Sequence, residues 1–399
     1  MAAVVTRRGL LLGAAALGVT GLGAAAPLSD DDVVGQPLRP WRRGGLDIHH
    51  IATGRGDSTL IIGPDGSSLM IDAGASSTPP PASLDIRPSA ERRAGEWIGR
   101  YARRQLAATG GQRLDAFLVT HLHPDHVDGL ADVAAALPIG KLVDRGYPDY
   151  SYPRPFDAPF ATAYQAFVRD RVHAGGKVER FRVGAADQLV LPGAEIRNLA
   201  ANGEVWTGHG TETRRLFPAI DSLPVADIPD ENACSAAIRL RYGAFGYFAA
   251  GDLTSNSFDG TLPWRDVETP AAQAAGRVDV AVAAHHGMFD ATGADVVRAL
   301  RPRAWVIPGW HVAHPSTDTL ERMMSQRLYA GARDVFATGL SPANALAHTW
   351  LTDRLAARGG HVIVRVAPGG ASYRLVVTDN RDEADRVLSA WGPWEASSS

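Results

Sequence analysis

The sequence holds a single cysteine, Cys234, among 399 residues. No intrachain disulfide can form, and a zinc site built from thiolates is excluded, so any metal must be held by His, Asp and Glu. A basic surplus is also missing: 40 Lys and Arg face 43 Asp and Glu, for a net charge of −3. Proteins that bind long nucleic acids draw on such a surplus, so no stable nucleic-acid binding is expected. A small anionic substrate drawn to a metal is still compatible. Beyond the N-terminus no segment is long and apolar enough to span a membrane. With 45% hydrophobic and 21% charged residues, the rest of the chain has the balance of a globular fold with a substantial core.

The first 26 residues have a different character. Arg7 and Arg8 precede Gly9 and the leucines 10–12, and an uncharged Gly/Ala/Leu run continues to Ala26. A charged start, a short apolar middle and small residues at Ala24, Ala25 and Ala26 are the parts of a cleavable secretory signal. The paired arginines resemble a twin-arginine signal, read by twin-arginine export machinery. The expectation is a protein exported to the periplasm or beyond, with no permanent span once the signal is cleaved. The alternative is an uncleaved N-terminal anchor.

Residues 27–44 read as a leader, 45–380 as one domain with an insertion at about 144–231, and 381–399 as a C-terminal tail. Short apolar segments at 47–53, 58–62 and 68–71, joined by Gly54-Arg55-Gly56-Asp57 and Pro64-Asp65-Gly66, predict an antiparallel meander. Helical spacing of Trp97, Ile98, Tyr101 and Leu106 predicts a helix over 90–108. Strands are expected at 114–120, 235–242, 247–250, 278–284, 304–307, 362–366 and 372–377. Further helices are expected at 127–136, 161–174, 292–300 and 317–329. Strands and helices mixed through both halves give an α+β class, two sheets with helices outside.

The residues that carry chemistry follow the strand at 114–120: His121-Leu122-His123-Pro124-Asp125-His126. With 13 His in the chain, three at fixed offsets beside an aspartate are rare by chance. Alternate residues leaving a strand point the same way, so His121 and His123 can share one ion. The turn begun by Pro124 re-aims Asp125 and His126 toward a second. Imidazole and carboxylate suit zinc, and also manganese or iron.

This run resembles the defining motif of the metallo-β-lactamase superfamily. Asp72 with Gly74 is similar to the family's early Asp-x-Gly, and Gly251-Asp252 to the Gly-Asp whose carboxylate bridges the metals. His285-His286-Gly287 is similar to the late motif that supplies the last His ligand. Within the superfamily the chain is most similar to the ComEC-type and phosphorylcholine-esterase-like branch. The residues concerned are Gly54 to Ser58, Asn232 to Ser235, Tyr242-Gly243, the His-His-Gly and His314-Pro315.

The resemblance implies a four-layer αββα sandwich and two divalent metal ions, held by His121, His123, Asp125, His126, Asp252 and one of His285 and His286. It implies hydrolysis of a phosphodiester or related ester by a metal-bound hydroxide, which Asp125 would orient. Whichever of the two does not bind metal would donate a proton or hold a substrate oxygen, and the sequence does not say which; His285 and Asp125 stand as the candidate catalytic residues. The third His for the first metal, usual in lactonases and β-lactamases, has no counterpart here. Pro229-Asp230-Glu231-Asn232 stands in its place, and Glu231 is a candidate substitute ligand. Asp57 is a candidate to orient a ligand His, or else caps its turn. His209, in a glycine-rich stretch, reads as a surface histidine. His311 and His314 read as residues at the mouth of the site or as structural ones, and His49 and His50 carry no chemistry. Tyr147, Tyr150, Tyr152 and Trp206 are candidates for a substrate wall or for loop packing. The rival readings are a lactonase or β-lactamase on the same fold and a non-catalytic binding protein.

Overall fold

The structure, a computed structural model, describes residues 32–397. The segment read as an export signal lies outside the described residues. One sheet of nine strands contains β1 (Leu46–His50), β2 (Thr59–Ile62), β3 (Ser68–Ile71), β4 (Leu114–Val119), β5 (Ile139–Asp144) and β6 (Lys177–Arg180). The second, also of nine, contains β7 (Glu195–Ala201), β8 (Glu204–Trp206), β9 (Thr213–Arg215), β10 (Ala237–Tyr242), β11 (Phe245–Ala249), β12 (Val280–Val282), β13 (Ala304–Ile307), β14 (Asp334–Ala337) and β15 (Ala357–Arg358). The chain then returns to the first sheet with β16 (His361–Val366), β17 (Ser372–Thr378) and β18 (Val387–Glu395). The orders are β18-β17-β16-β1-β2-β3-β4-β5-β6 and β15-β14-β13-β12-β11-β10-β7-β8-β9.

Strand alternation sets the layers. In β4, Ala116 and Leu118 join the core between the sheets, while Phe117 and Val119 face the other way. Phe117 and Val119 pack with Ile98, Tyr101 and Ala102 of α1 (Ala94–Leu106), with Leu130 and Val133 of the short helix 130–136, and with Tyr164 and Val168 of the helix 159–173. In the second sheet Ala304 and Val306 face the shared core, and Trp305 and Ile307 face the helices 268–275, 294–300 and 317–324. Central strands such as β4 and β13 bury both faces, which is why these segments read as nearly continuous apolar runs. The result is the αββα sandwich expected from the sequence.

Two boundaries differ from the sequence reading. The segment 144–231, read as an insertion, is built into both sheets: β6 is the edge strand of one, and β7, β8 and β9 extend the other. The edge strands Lys177–Arg180 and Thr213–Arg215 are charged, as edge strands that avoid further pairing tend to be, and charge hides strand periodicity. Nor is 381–399 a tail outside the domain, because β18 pairs along β17. Register shifts in that pair break the period-two pattern by which a strand is recognised in sequence. The leader docks too, with Trp41 buried in the helix-side core and Asp32 bonded to Arg365 at 2.9 Å.

Candidate metal centre

The site forms where loops leave the C-terminal ends of β3, β4, β11, β12 and β13. Backbone packing there is tight. An added Cβ at Gly74 would lie 1.8 Å from the carbonyl oxygen of Asp125, and one at Gly56 2.1 Å from it, so only glycine lets these loops close on the motif.

Three histidines share one arrangement. His126 Nδ1 donates to Asp72 Oδ2 at 2.8 Å, His121 Nδ1 to Thr120 Oγ1 at 3.1 Å, and His286 Nδ1 to the Pro308 carbonyl at 3.1 Å. Each bond fixes the tautomer and leaves an Nε2 lone pair aimed inward, the usual preparation of a metal-binding imidazole. The inward atoms then crowd. His121 Nε2 lies 3.1 Å from His123 Nδ1 and 3.6 Å from Asp252 Oδ2. His126 Nε2, buried without a hydrogen-bond partner, lies 3.2 Å from Asp252 Oδ1. His286 Nε2 lies 2.9 Å from Asp125 Oδ2 and 3.5 Å from Asp252 Oδ2. Two sets result, Asp125, His126, Asp252 and His286 in one and His121, His123 and Asp252 in the other, each with its ligand atoms within 4.8 Å of one another. Asp252 belongs to both, as a bridging carboxylate must.

Such facing lone pairs repel unless positive charge stands between them, so the donor set fits a pair of cations. The electrostatics agree. Burial opposes the charged form of His126, but Asp252, Asp125 and Asp72 outweigh it and hold its pKa well above the ordinary value. Burial likewise opposes charge on His286, which Asp252 and Asp125 push up to about 10. Asp252, despite its burial, is held well below the usual carboxylate range by His126, His286 and His121. Burial and the charge of His126 keep His121 neutral, which is its ligand form. A metal cation competes for the same lone pairs that attract a proton here.

The paired histidines follow the end of β12. They occupy a turn with φ 47° and 54°, two consecutive left-handed residues that are not glycine. This strained backbone separates their rings to 6.2 Å. His286 joins the ligand cluster. His285 stands outside both sets, its Nδ1 donating to Asp290 Oδ1 at 2.8 Å and its Nε2 3.1 Å from Asn232 Nδ2 and 4.0 Å from Asp252 Oδ2.

Glu231 is committed elsewhere and is not placed as a ligand. Its Oε1 accepts from the Leu122 amide at 2.8 Å and from Arg145 Nε at 2.7 Å, and its Oε2 accepts from Arg145 Nη2. Both side chains are buried, at 1% and 5% exposure, so the pair is internal. Asp72, not Asp57, orients a ligand His; Asp57 bonds the site through its backbone, its amide donating to the Asp125 carbonyl at 2.9 Å. His209 is exposed on a turn, and His49 and His50 are buried against Tyr101 and Thr59. His311 bonds the Pro81 carbonyl at 2.9 Å, while the His314 ring stacks on His286 at 4.7 Å. Trp206 is a packing residue beneath Arg197 and Arg239. Tyr150 donates to Asp144 at 2.6 Å, and the Tyr152 carbonyl accepts from Arg145. Tyr147, Tyr150 and Phe156 line a cavity of 610 Å³, and Phe156 also packs edge-on against His123 at 5.9 Å.

The sequence reading missed Thr120, Arg145 and Asp290. Arg145 follows Asp144, itself charged, at the end of β5, and so did not stand out. Asp290 had no signal, since only the turn at 285–287 brings it under His285.

With this geometry the chain has the metallo-β-lactamase fold. Residues 52–198 match the family model of the metallo-beta-lactamase superfamily. No curated protein matches the chain. Among solved structures it is similar to CmlA, a diiron beta-hydroxylase from Streptomyces venezuelae, at 14% identity and a TM-score of 0.40. That match covers 82% of this chain but spans only 55% of the hydroxylase. It is also similar to Igni18, a metallo hydrolase from Ignicoccus hospitalis (13% identity, 80% of this chain, 98% of that one, TM-score 0.37). A third is unliganded yeast PDE1 (9% identity, 79% and 98%, TM-score 0.40).

Proposed function

We propose that the chain is an exported two-metal hydrolase acting on a phosphodiester or related ester bond. The observation that carries this reading is the cluster of inward lone pairs on His121, His123, Asp125, His126, Asp252 and His286, two sets joined by one carboxylate. Divalent ions held there, of zinc, manganese or iron, supply Lewis acidity and lower the pKa of a bound water. His121, His123 and Asp252 would hold one ion, and Asp125, His126, His286 and Asp252 the other. Asp125 turns Oδ2 toward His286 and leaves Oδ1 to accept a proton from the attacking water. His285 is oriented by Asp290, and its Nε2, which accepts from Asn232 Nδ2 at 3.1 Å, would have to give up that bond and take a proton before passing it to the leaving oxygen.

The ligand count supports a phosphodiester over a lactone or β-lactam. Arg145 binds Glu231, so two histidines and a shared carboxylate serve the first ion, which leaves room for an anionic phosphoryl oxygen. The ComEC-type and phosphorylcholine-esterase-like branch belongs to the same proposal and rests on the sequence motifs. Export rests on Arg7, Arg8 and the apolar run behind them. The deciding assay gives the metal-loaded protein bis-nitrophenyl phosphate, an acyl-lactone and a β-lactam in parallel. The proposal expects turnover of the diester well above the other two. Preference for the lactone or β-lactam would replace it, and binding without turnover of any would leave a binding protein.

A further inference from the structure

Seven histidines are buried in the described residues, and six of them place at least one ring nitrogen in a hydrogen bond or on an acceptor. His314 is the exception. It is 6% exposed, its Nδ1 is sealed without a partner, and among the described residues neither nitrogen makes a hydrogen bond. Nor is it loosely placed. Its ring lies parallel to His286 at 4.7 Å with an interplanar angle of 20°, and the Trp310 ring meets it edge-on at 5.4 Å. The loop around it is tied down by Asn344 Nδ2, which donates to the carbonyls of Val312 and Pro315 at 3.0 and 2.9 Å. The Ser316 amide donates to Gly287 at 2.9 Å, which fixes the loop to the paired-histidine turn.

The tautomer follows from the cost of unpaired groups. A buried N–H without an acceptor costs more than a buried bare lone pair, so the single proton of the neutral ring avoids the sealed Nδ1. It sits on Nε2, the nitrogen that remains able to reach open space. A rigid N–H donor is therefore held beside His286, where a ligand cluster for two cations ends. An imidazole with no partner in the protein, fixed at the rim of a cationic centre, is suited to an anionic oxygen that arrives from outside.

We propose that His314 Nε2–H binds a non-bridging oxygen of the substrate's phosphoryl group at the His286 end of the site. This rests on the phosphodiester reading above. His314 thereby positions substrate; it is not a ligand of either ion.

The test uses metal-loaded protein and two readouts, steady-state hydrolysis of bis-nitrophenyl phosphate and calorimetric binding of inorganic phosphate. His314→Ala is expected to raise KM and the phosphate Kd by about 10-fold or more, the usual cost of a lost hydrogen bond to a charged group. Metal content should stay at the wild-type value, and His314→Gln, which keeps an N–H donor, should recover most of the phosphate affinity. Unchanged KM and unchanged phosphate affinity in His314→Ala would overturn the inference while leaving the phosphodiester reading intact. Loss of metal in both variants would make His314 a support for His286 and overturn it as well. If the wild type itself neither binds phosphate nor hydrolyses the diester, the broader reading fails and takes this one with it.

Discussion

His126 and Asp72 are joined by a 2.8 Å hydrogen bond from Nδ1 to Oδ2, and that same carboxylate oxygen accepts the Thr120 hydroxyl at 2.7 Å. One buried aspartate thus fixes the tautomer of His126 directly and, through Thr120, that of His121. Asp72→Asn is therefore expected to weaken metal binding by about 10–100-fold, as loss of a carboxylate behind a ligand His does elsewhere. Metal titration against a competing chelator measures it. Wild-type affinity in the variant would mean that the two histidines hold their orientation without Asp72.

Glu231 and Arg145 give a prediction about stability rather than metal. Removing one partner of a buried pair strands the other's charge, so Glu231→Gln should destabilise the fold by about 3–5 kcal/mol. Denaturant melts on metal-loaded protein report this, and elemental analysis of the same sample should still find the wild-type metal content. A variant that loses one ion yet melts like the wild type would make Glu231 a ligand after all.

The paired histidines should separate by readout. His286→Ala is expected to lose about one ion per chain, because the second set would keep only Asp125, His126 and the shared carboxylate. His285→Ala should keep both ions and turn over about 10²–10⁴-fold more slowly, with a smaller loss on a substrate whose leaving group needs no proton. Metal content and rates on an activated and an unactivated diester decide it. If His285→Ala loses an ion and His286→Ala does not, the assignment is reversed.

These roles mark how far the sequence could be read. His121 to His126, Asp252 and the pair His285-His286 were readable because candidate ligand residues cluster in short motifs at strand ends, but not which of that pair joins the cluster. The layered fold was readable because strands buried on both faces are apolar along their length. Glu231, Arg145 and Asp290 were not, since each depends on a partner 86, 86 or 5 residues away that only the folded loops bring near. The edge strands β6, β9 and β18 escaped for another reason. Edge positions carry charge or bulges, and neither leaves a period-two apolar pattern.

Export is tested separately from chemistry. Changing Arg7 and Arg8 together to Lys keeps the charge but removes the paired guanidinium groups that a twin-arginine receptor reads. The double variant should accumulate in the cytoplasm as precursor, seen by fractionation and by its uncleaved mass. Normal amounts outside the cytoplasm would assign the signal to the general secretory route.

The central claim is a pair of ions held by one shared carboxylate. Its most direct measurement is a zinc or manganese titration of chelator-stripped protein, following bound metal by elemental analysis and diester hydrolysis together, for wild type and Asp252→Ala. The wild type should bind about two ions per chain, with activity reaching its plateau at the second, and Asp252→Ala should fold but stay inactive at any metal concentration. A wild type that binds no stoichiometric metal, or an Asp252→Ala variant with near-normal turnover, would contradict it.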